Sequence, residues 1–207
     1  MRQWWQVIHP GYLRRLSPIN RALFESAVRG ITQNVEVFLQ RGADPNLAVI
    51  YGMPLIVLCA GLGRTDAVRL LLLSGANVDA ASPSTGMNAL LKASSDGNLP
   101  LARLLIEHHA AVEPRTNFDS TPLILAARNG HTEIIRLLLE HGAQTEAVTR
   151  KGVTALIMAA HQGHAGAVEI LLSAGADKTR KDRLGRTALD YARKRGNRDV
   201  AAFLEAA

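Results

Sequence analysis

A single cysteine, Cys59, stands among the 207 residues. That excludes an internal disulfide framework and suits a reducing, cytoplasmic-type compartment. No apolar run approaches the roughly 18 residues of a membrane span. A secretory leader is not expected either. The apolar residues of the first twenty are broken by His9-Pro10-Gly11, and no small-residue cleavage site follows. Glycine-rich phosphate loops, a nucleophile elbow and the His-Glu-x-x-His zinc motif are all missing. Acidic residues are scattered, with no pair placed for acid–base work. His161 and His164 are separated by Gly163, and a metal site needs convergent ligands with a supporting shell. The sequence therefore predicts no catalytic residue, no metal ligand, no cofactor and no enzyme.

What the chain does contain is a repeated hairpin, clearest from Ser120 to Gln144. Thr121 can cap a helix, and Pro122 fits the first helical position, where a missing N–H costs nothing. Two turns follow to Asn129, and Gly130 can supply the left-handed residue that stops them. A second helix is predicted from about Thr132 to His141. Its Ile134/Leu138 and Ile135/Leu139 pairs share a face, and Glu133 suits the positive end of the dipole. Each helix is shorter than the roughly 12 residues that are even marginal alone in water. The hairpin needs copies of itself on either side.

The copies are present. The leucine that opens the first helix recurs at Leu23, Leu55, Leu90, Leu123, Leu156 and Leu189, at intervals of 32, 35, 33, 33 and 33. The closing Gly-Ala recurs at 42–43, 75–76, 142–143 and 175–176, with His109-Ala110 in the same slot of the third copy. A period near 33 with two short helices marks a stacked helical array. Cys59 falls where the pattern wants alanine, so a small buried residue is expected there.

Three runs then carry a resemblance: TPLILAARNGHTEIIRLLLEHGA (121–143), TALIMAAHQGHAGAVEILLSAGAD (154–177) and GRTALDYARKRG (185–196). The chain resembles ankyrin-repeat proteins over about residues 21–207. The resemblance implies an all-α solenoid of about six helix-turn-helix repeats, with turn tips along one edge. The repeats are expected at about 17–49, 50–82, 83–115, 116–148, 149–181 and 182–207, and residues 1–20 lie outside them. That segment, with Trp4 and Trp5, either caps repeat one or docks elsewhere. The histidine of the family's TPLH box is absent; Phe24, Ile56, Leu91, Ile124, Ile157 and Asp190 hold its slot. Its turn hydrogen bond is therefore not expected, while the packing is. Repeat one should bury Leu23, Ala27, Val35, Val37, Phe38 and Leu39. In repeat two the first helix is expected from Pro54 to about Gly61, after a shortened turn.

In the resembled family, turn tips and the exposed end of each first helix line a concave groove that holds a protein. Carried over by position, the tips are Ser84, Thr85 and Met87; Asn117, Phe118 and Ser120; Arg150, Lys151 and Val153; and Arg183, Leu184 and Arg186. The helix ends add Arg128, Asn129, His161 and Gln162, besides Ser95, Asp96, Lys194 and Arg195. Charge is uneven. Residues 1–20, 21–177 and 178–207 carry +3, −2 and +5, so basic character sits at the ends. The expectation is a monomeric, non-catalytic interaction module of adaptor or inhibitor type, docking an acidic or mixed protein surface or an extended peptide. The alternative is charge-driven binding of nucleic acid or an anionic membrane through the basic C-terminal end. Nucleic acid is disfavoured by the few basic residues in the body and by the absence of stacking aromatics in the basic stripe.

Overall fold

The computed structural model describes residues 15–206. Most of the segment expected to cap repeat one, residues 1–14, lies outside them. Twelve helices are found among the described residues, in two compact units, residues 1–89 and 90–207.

The first unit holds α1 (Pro18–Arg29), α2 (Thr32–Gln40), α3 (Leu55–Gly61) and α4 (Thr65–Leu73). Ser17 starts α1 by accepting the Asn20 amide at 3.3 Å, with Pro18 in the first turn. Leu23, Ala27 and Val35 are buried as expected, but Phe38 and Leu39 are only half-buried and Val37 is 39% exposed. Two residues along a helix rotate a side chain by about 200°, so Val35 and Val37 cannot both face the core. Between α2 and α3 lies an unexpected hairpin. Ala48–Val49 (β1) pairs antiparallel with Met53–Pro54 (β2). Pro54 therefore takes an extended backbone (ψ 140°) and precedes α3 instead of opening it. Cys59 is fully buried, and burial pushes its thiol up to about 12, only partly offset by the Arg64 charge. It is a packing residue and not a thiolate nucleophile.

The second unit holds α5 (Ala89–Asp96), α6 (Leu99–Glu107), α7 (Pro122–Asn129), α8 (Thr132–Glu140), α9 (Ala155–Gln162), α10 (Ala165–Ser173), α11 (Ala188–Arg195) and α12 (Arg198–Ala206). First helices pack on first helices (α7 on α9, α9 on α11), and second on second (α6 on α8, α8 on α10, α10 on α12). The core between the two layers is aliphatic: Leu123, Ile135, Leu138, Leu156, Val168 and Leu171 are at most 1% exposed. The apolar residues in the missing histidine's slot keep the packing, with Ile124 and Ile157 buried. Where that slot holds Asp190, its carboxylate accepts the Thr187 amide at 2.8 Å, completing a capping box. Thr121 and Thr154 cap α7 and α9 through the amides of Ile124 and Ile157.

In the closing Gly-Ala slot, Gly42, Gly75, Gly142 and Gly175 have φ between 83° and 88°. His109 takes the same left-handed region at φ 62°, a conformation that polar side chains reach more readily than branched apolar ones. Carboxylates join the second-helix loops of successive repeats. Glu113 accepts the Gln144 amide, and Glu146 accepts the Asp177 amide, each at 3.0 Å.

Candidate functional site

The second unit presents three turn tips built to one plan. Each begins with an oxygen-bearing residue, buried at Thr116 and Asp182 and half-buried at Thr149. Thr116 Oγ1 accepts the amides of Phe118 and Ser120 at 3.2 and 3.1 Å. Thr149 Oγ1 accepts those of Lys151 and Val153 at 3.3 and 3.2 Å. Asp182 Oδ1 accepts those of Leu184 and Arg186 at 2.9 and 3.0 Å. Each side chain mimics a backbone turn and fixes the residues above it. Successive tips are then joined. The Arg150 amide donates to the Phe118 carbonyl at 3.2 Å, and the Arg183 amide donates to the Lys151 carbonyl at 3.0 Å.

This plan sorts the expected site residues. Asn117, Phe118, Arg150, Lys151, Arg183 and Leu184 are exposed at the tips, while Ser120, Val153 and Arg186 are half-buried on the returning side. The tip of repeat three belongs to the first unit: Ser84 and Thr85 are exposed and Met87 is half-buried. On the helix ends, Arg128, Asn129 and Gln162 are exposed and His161 is half-buried. The bases of the tips escaped the sequence reading. Their signal was available, because Thr116, Thr149 and Asp182 share the 33-residue spacing of the leucines.

Helix ends are joined across repeats as well. His131 Nε2 lies 3.1 Å from the Ser95 carbonyl, and His164 Nε2 lies 3.1 Å from that of Arg128. Asn197 donates to the Ala160 carbonyl at 2.9 Å from the same slot, and Asn129 donates to Ser95 at 2.8 Å. Both histidines are therefore bridges between repeats. Among the described residues, no three His, Cys, Asp or Glu side chains gather as a metal would require.

His161 sits where the site is most basic. Its Nε2 accepts from Arg195 Nε at 3.0 Å, so its proton is on Nδ1, and its ring meets Tyr191 edge-on at 5.3 Å. Arg186 lies 5.8 Å over the same tyrosine, whose hydroxyl donates to Asp182 Oδ2 at 2.7 Å. Partial burial, then the charges of Arg195 and Lys194, hold the His161 pKa below 6.5. For Asp182, burial alone would raise the pKa. The hydrogen bonds from Tyr191, Arg186 and Leu184, with the Arg186 charge, outweigh it and leave the carboxyl below its ordinary value.

A pH dependence follows from these directions. A base with a lowered folded pKa contributes stability that is complete above its unfolded pKa, here 6.5, and lost as pH falls through the folded value. Urea midpoints should therefore fall from about pH 7 to about pH 5.5, and His161→Gln should flatten part of that slope. Asp182 contributes stability that is present above its unfolded pKa and lost in stronger acid. An equal slope in wild type and variant would show that His161 is not held neutral.

Arg150 is paired with Asp119 at 3.4 Å, across exposed side chains, and such a pair is worth little. Among the described residues, no carboxylate lies within ion-pair distance of Lys151, Arg183 or Lys194. No described helix is long and apolar enough to cross a membrane.

Comparison with known proteins places this geometry. A family model described as ankyrin repeats in three copies matches residues 55–149, 94–182 and 145–206. A protein of Treponema pallidum (strain Nichols) described as ankyrin repeat-containing is 33% identical over 93 residues, covering 44% of this chain and 30% of the relative. The chain thus matches less than a third of that relative's length.

Proposed function

The chain belongs to the ankyrin-repeat family, whose repeats generally serve as protein–protein interaction modules, and on that premise we propose that it is a non-catalytic adaptor or inhibitor. Its partner docks in the groove between the turn tips and the ends of the first helices. The observation that carries this reading is the set of joined tips in the second unit. Their backbones are fixed by Thr116, Thr149 and Asp182 and tied to one another. The side chains of Asn117, Phe118, Arg150, Lys151, Arg183 and Leu184 meanwhile stand exposed and contribute little to the core. Fixed backbone beneath exposed side chains is what a preorganised binding surface requires, because little ordering entropy remains to be lost on docking. The cations there favour an acidic protein surface. We place the module in a reducing intracellular compartment, a placement supported by the buried lone thiol, and we take it to be a monomer.

Affinity capture from a lysate tests this, with nuclease present and at low and moderate salt. The bait is the whole chain beside a triple variant, Lys151→Glu, Arg183→Glu and Lys194→Glu. Arg186 is left in place because it packs on Tyr191. Circular dichroism must first show equal helicity. A protein retained through nuclease and moderate salt, and lost with the variant, is the expected result. Capture that vanishes with nuclease, or that collapses with salt as counterion release demands, would replace this reading with charge-driven nucleic-acid binding.

A further inference from the structure

Five turns contain a residue in the left-handed region: Gly52, Gly86, Asp119, Gly152 and Gly185, with φ between 59° and 75°. The residue immediately before it is Tyr51, Thr85, Phe118, Lys151 or Leu184. Three of these five are large and apolar, and all three are strongly exposed: Tyr51 at 89%, Phe118 at 73% and Leu184 at 69%. Single exposed apolar residues scattered over a surface need no explanation. Tyr51 belongs to the two-stranded hairpin and is itself left-handed at φ 54°. Phe118 and Leu184, however, recur in one slot of one turn type, above Thr116 and Asp182, and that recurrence is not scatter. Nor do these side chains assist folding, since each points away from the core that its own turn encloses.

Within the second unit the slot reads Phe118, Lys151, Leu184, one side chain per tip. The inter-tip hydrogen bonds end on two of those residues, at the carbonyls of Phe118 and Lys151, so the series is held in order. Among the described residues, the charges beside it that have no ion-pair partner are cationic. Lys151 and Arg183 have no ion-pair partner among the described residues. The two carboxylates nearby are both engaged. Asp119 faces Arg150 at 3.4 Å, and Asp182 is buried, with one oxygen on its own turn and the other on Tyr191. The edge therefore offers apolar, cationic and apolar groups in single file, and its cations outnumber its one accessible carboxylate, that of Asp119, which faces Arg150.

We propose that this tip edge binds an extended acidic segment of the partner protein, its carboxylates on Lys151 and Arg183 and its flanking apolar side chains on Phe118 and Leu184. The proposal rests on the interaction-module reading above and names the chemistry of the occupant. An extended segment suits a single file of contacts, because it lays its side chains out along a line and not around a compact face. Specificity comes from the order. A purely acidic polymer would satisfy Lys151 and leave both apolar anchors bare, and a purely apolar segment would leave the cations unpaired.

The experiment pans the whole chain against a displayed random-peptide library at moderate salt, then measures affinities of the enriched peptides as synthetic fragments. Enriched peptides should carry Asp or Glu flanked by apolar residues. Phe118→Ala and Leu184→Ala should each weaken binding about tenfold, as truncation of a buried anchor does. Lys151→Glu should weaken it similarly, and a peptide with Lys in place of its central acid should regain affinity for that variant alone. Melting temperatures of all three variants should match the wild type, because these side chains are exposed. Peptides without acids, affinities unmoved by the three substitutions, or no enrichment at all would each overturn the proposal. Lysate capture lost with the triple variant, combined with peptides indifferent to Phe118 and Leu184, would leave the interaction module standing and remove only this inference. Failure of both experiments would remove both.

Discussion

Leu156→Ala is expected to cost about 2–5 kcal/mol, the range for truncating a fully buried leucine. Leu156 is 1% exposed, and its helix, α9, packs on α7, α10 and α11 together. No single neighbour can close the resulting gap. The corresponding residue of the last repeat, Leu189, is only half-buried, and Leu189→Ala should cost distinctly less. A stacked array is held by nearest-neighbour interfaces, so the damage has a direction. Repeat six has a described neighbour on one side only, and α9 is the first helix it leans on. Amide exchange in α11 and α12 should therefore accelerate more than exchange in α7. Urea unfolding gives the total loss, and exchange read residue by residue gives its distribution. Uniform acceleration through the second unit would mean that it unfolds as one cooperative block.

The second large effect concerns Gly130, and Gly142 is its control. Both hold left-handed backbone, at φ 71° and 84°. A Cβ at Gly142 would meet nothing within 4 Å, whereas one at Gly130 would lie 2.8 Å from His164 Nδ1. Gly142→Ala should cost about 1–2 kcal/mol, the left-handed penalty for an L-residue. Gly130→Ala should cost that amount and in addition displace the His164 ring from the Arg128 carbonyl, adding about 0.5–1.5 kcal/mol for the lost hydrogen bond. The excess should vanish in a His164→Ala background, because the ring that clashes is then gone. A double-mutant cycle measures this directly. Equal costs at the two glycines would show that His164 contributes nothing to the junction between repeats.

Particular residues show how far the sequence carried the argument. Thr121, Pro122 and Gly130 announced the bounds of α7, and those bounds are observed because caps act within one turn of chain. Val37 was misjudged because a run of apolar residues was read as a buried set, although a helix can bury only one face. The hairpin at Ala48–Pro54 was read as a shortened turn. A ladder of two residues leaves no periodic pattern to recognise. His131 and His164 bridge successive repeats, yet their partners, carbonyls about one repeat away, have no local signature in the sequence.

The sequence by itself determined the repeat period and, in the regular copies, the caps and the leucines that set the buried face. A 33-residue period in leucine and glycine repeats the same local problem, and the regular copies solve it in the same way. It also supplied the candidate surface, because tip positions follow from the period. Only the tertiary structure decided which of those positions are usable. It turned Asp182 inward onto its own turn and Tyr191, packed Arg186 on that tyrosine, and tied His161 to Arg195. It left Phe118, Lys151 and Leu184 outward. The reason is physical. Helix caps and apolar stripes are settled by residues within one or two turns of chain. The exposure of a tip side chain and the pairing of its charge depend on groups that stacking brings together from other repeats.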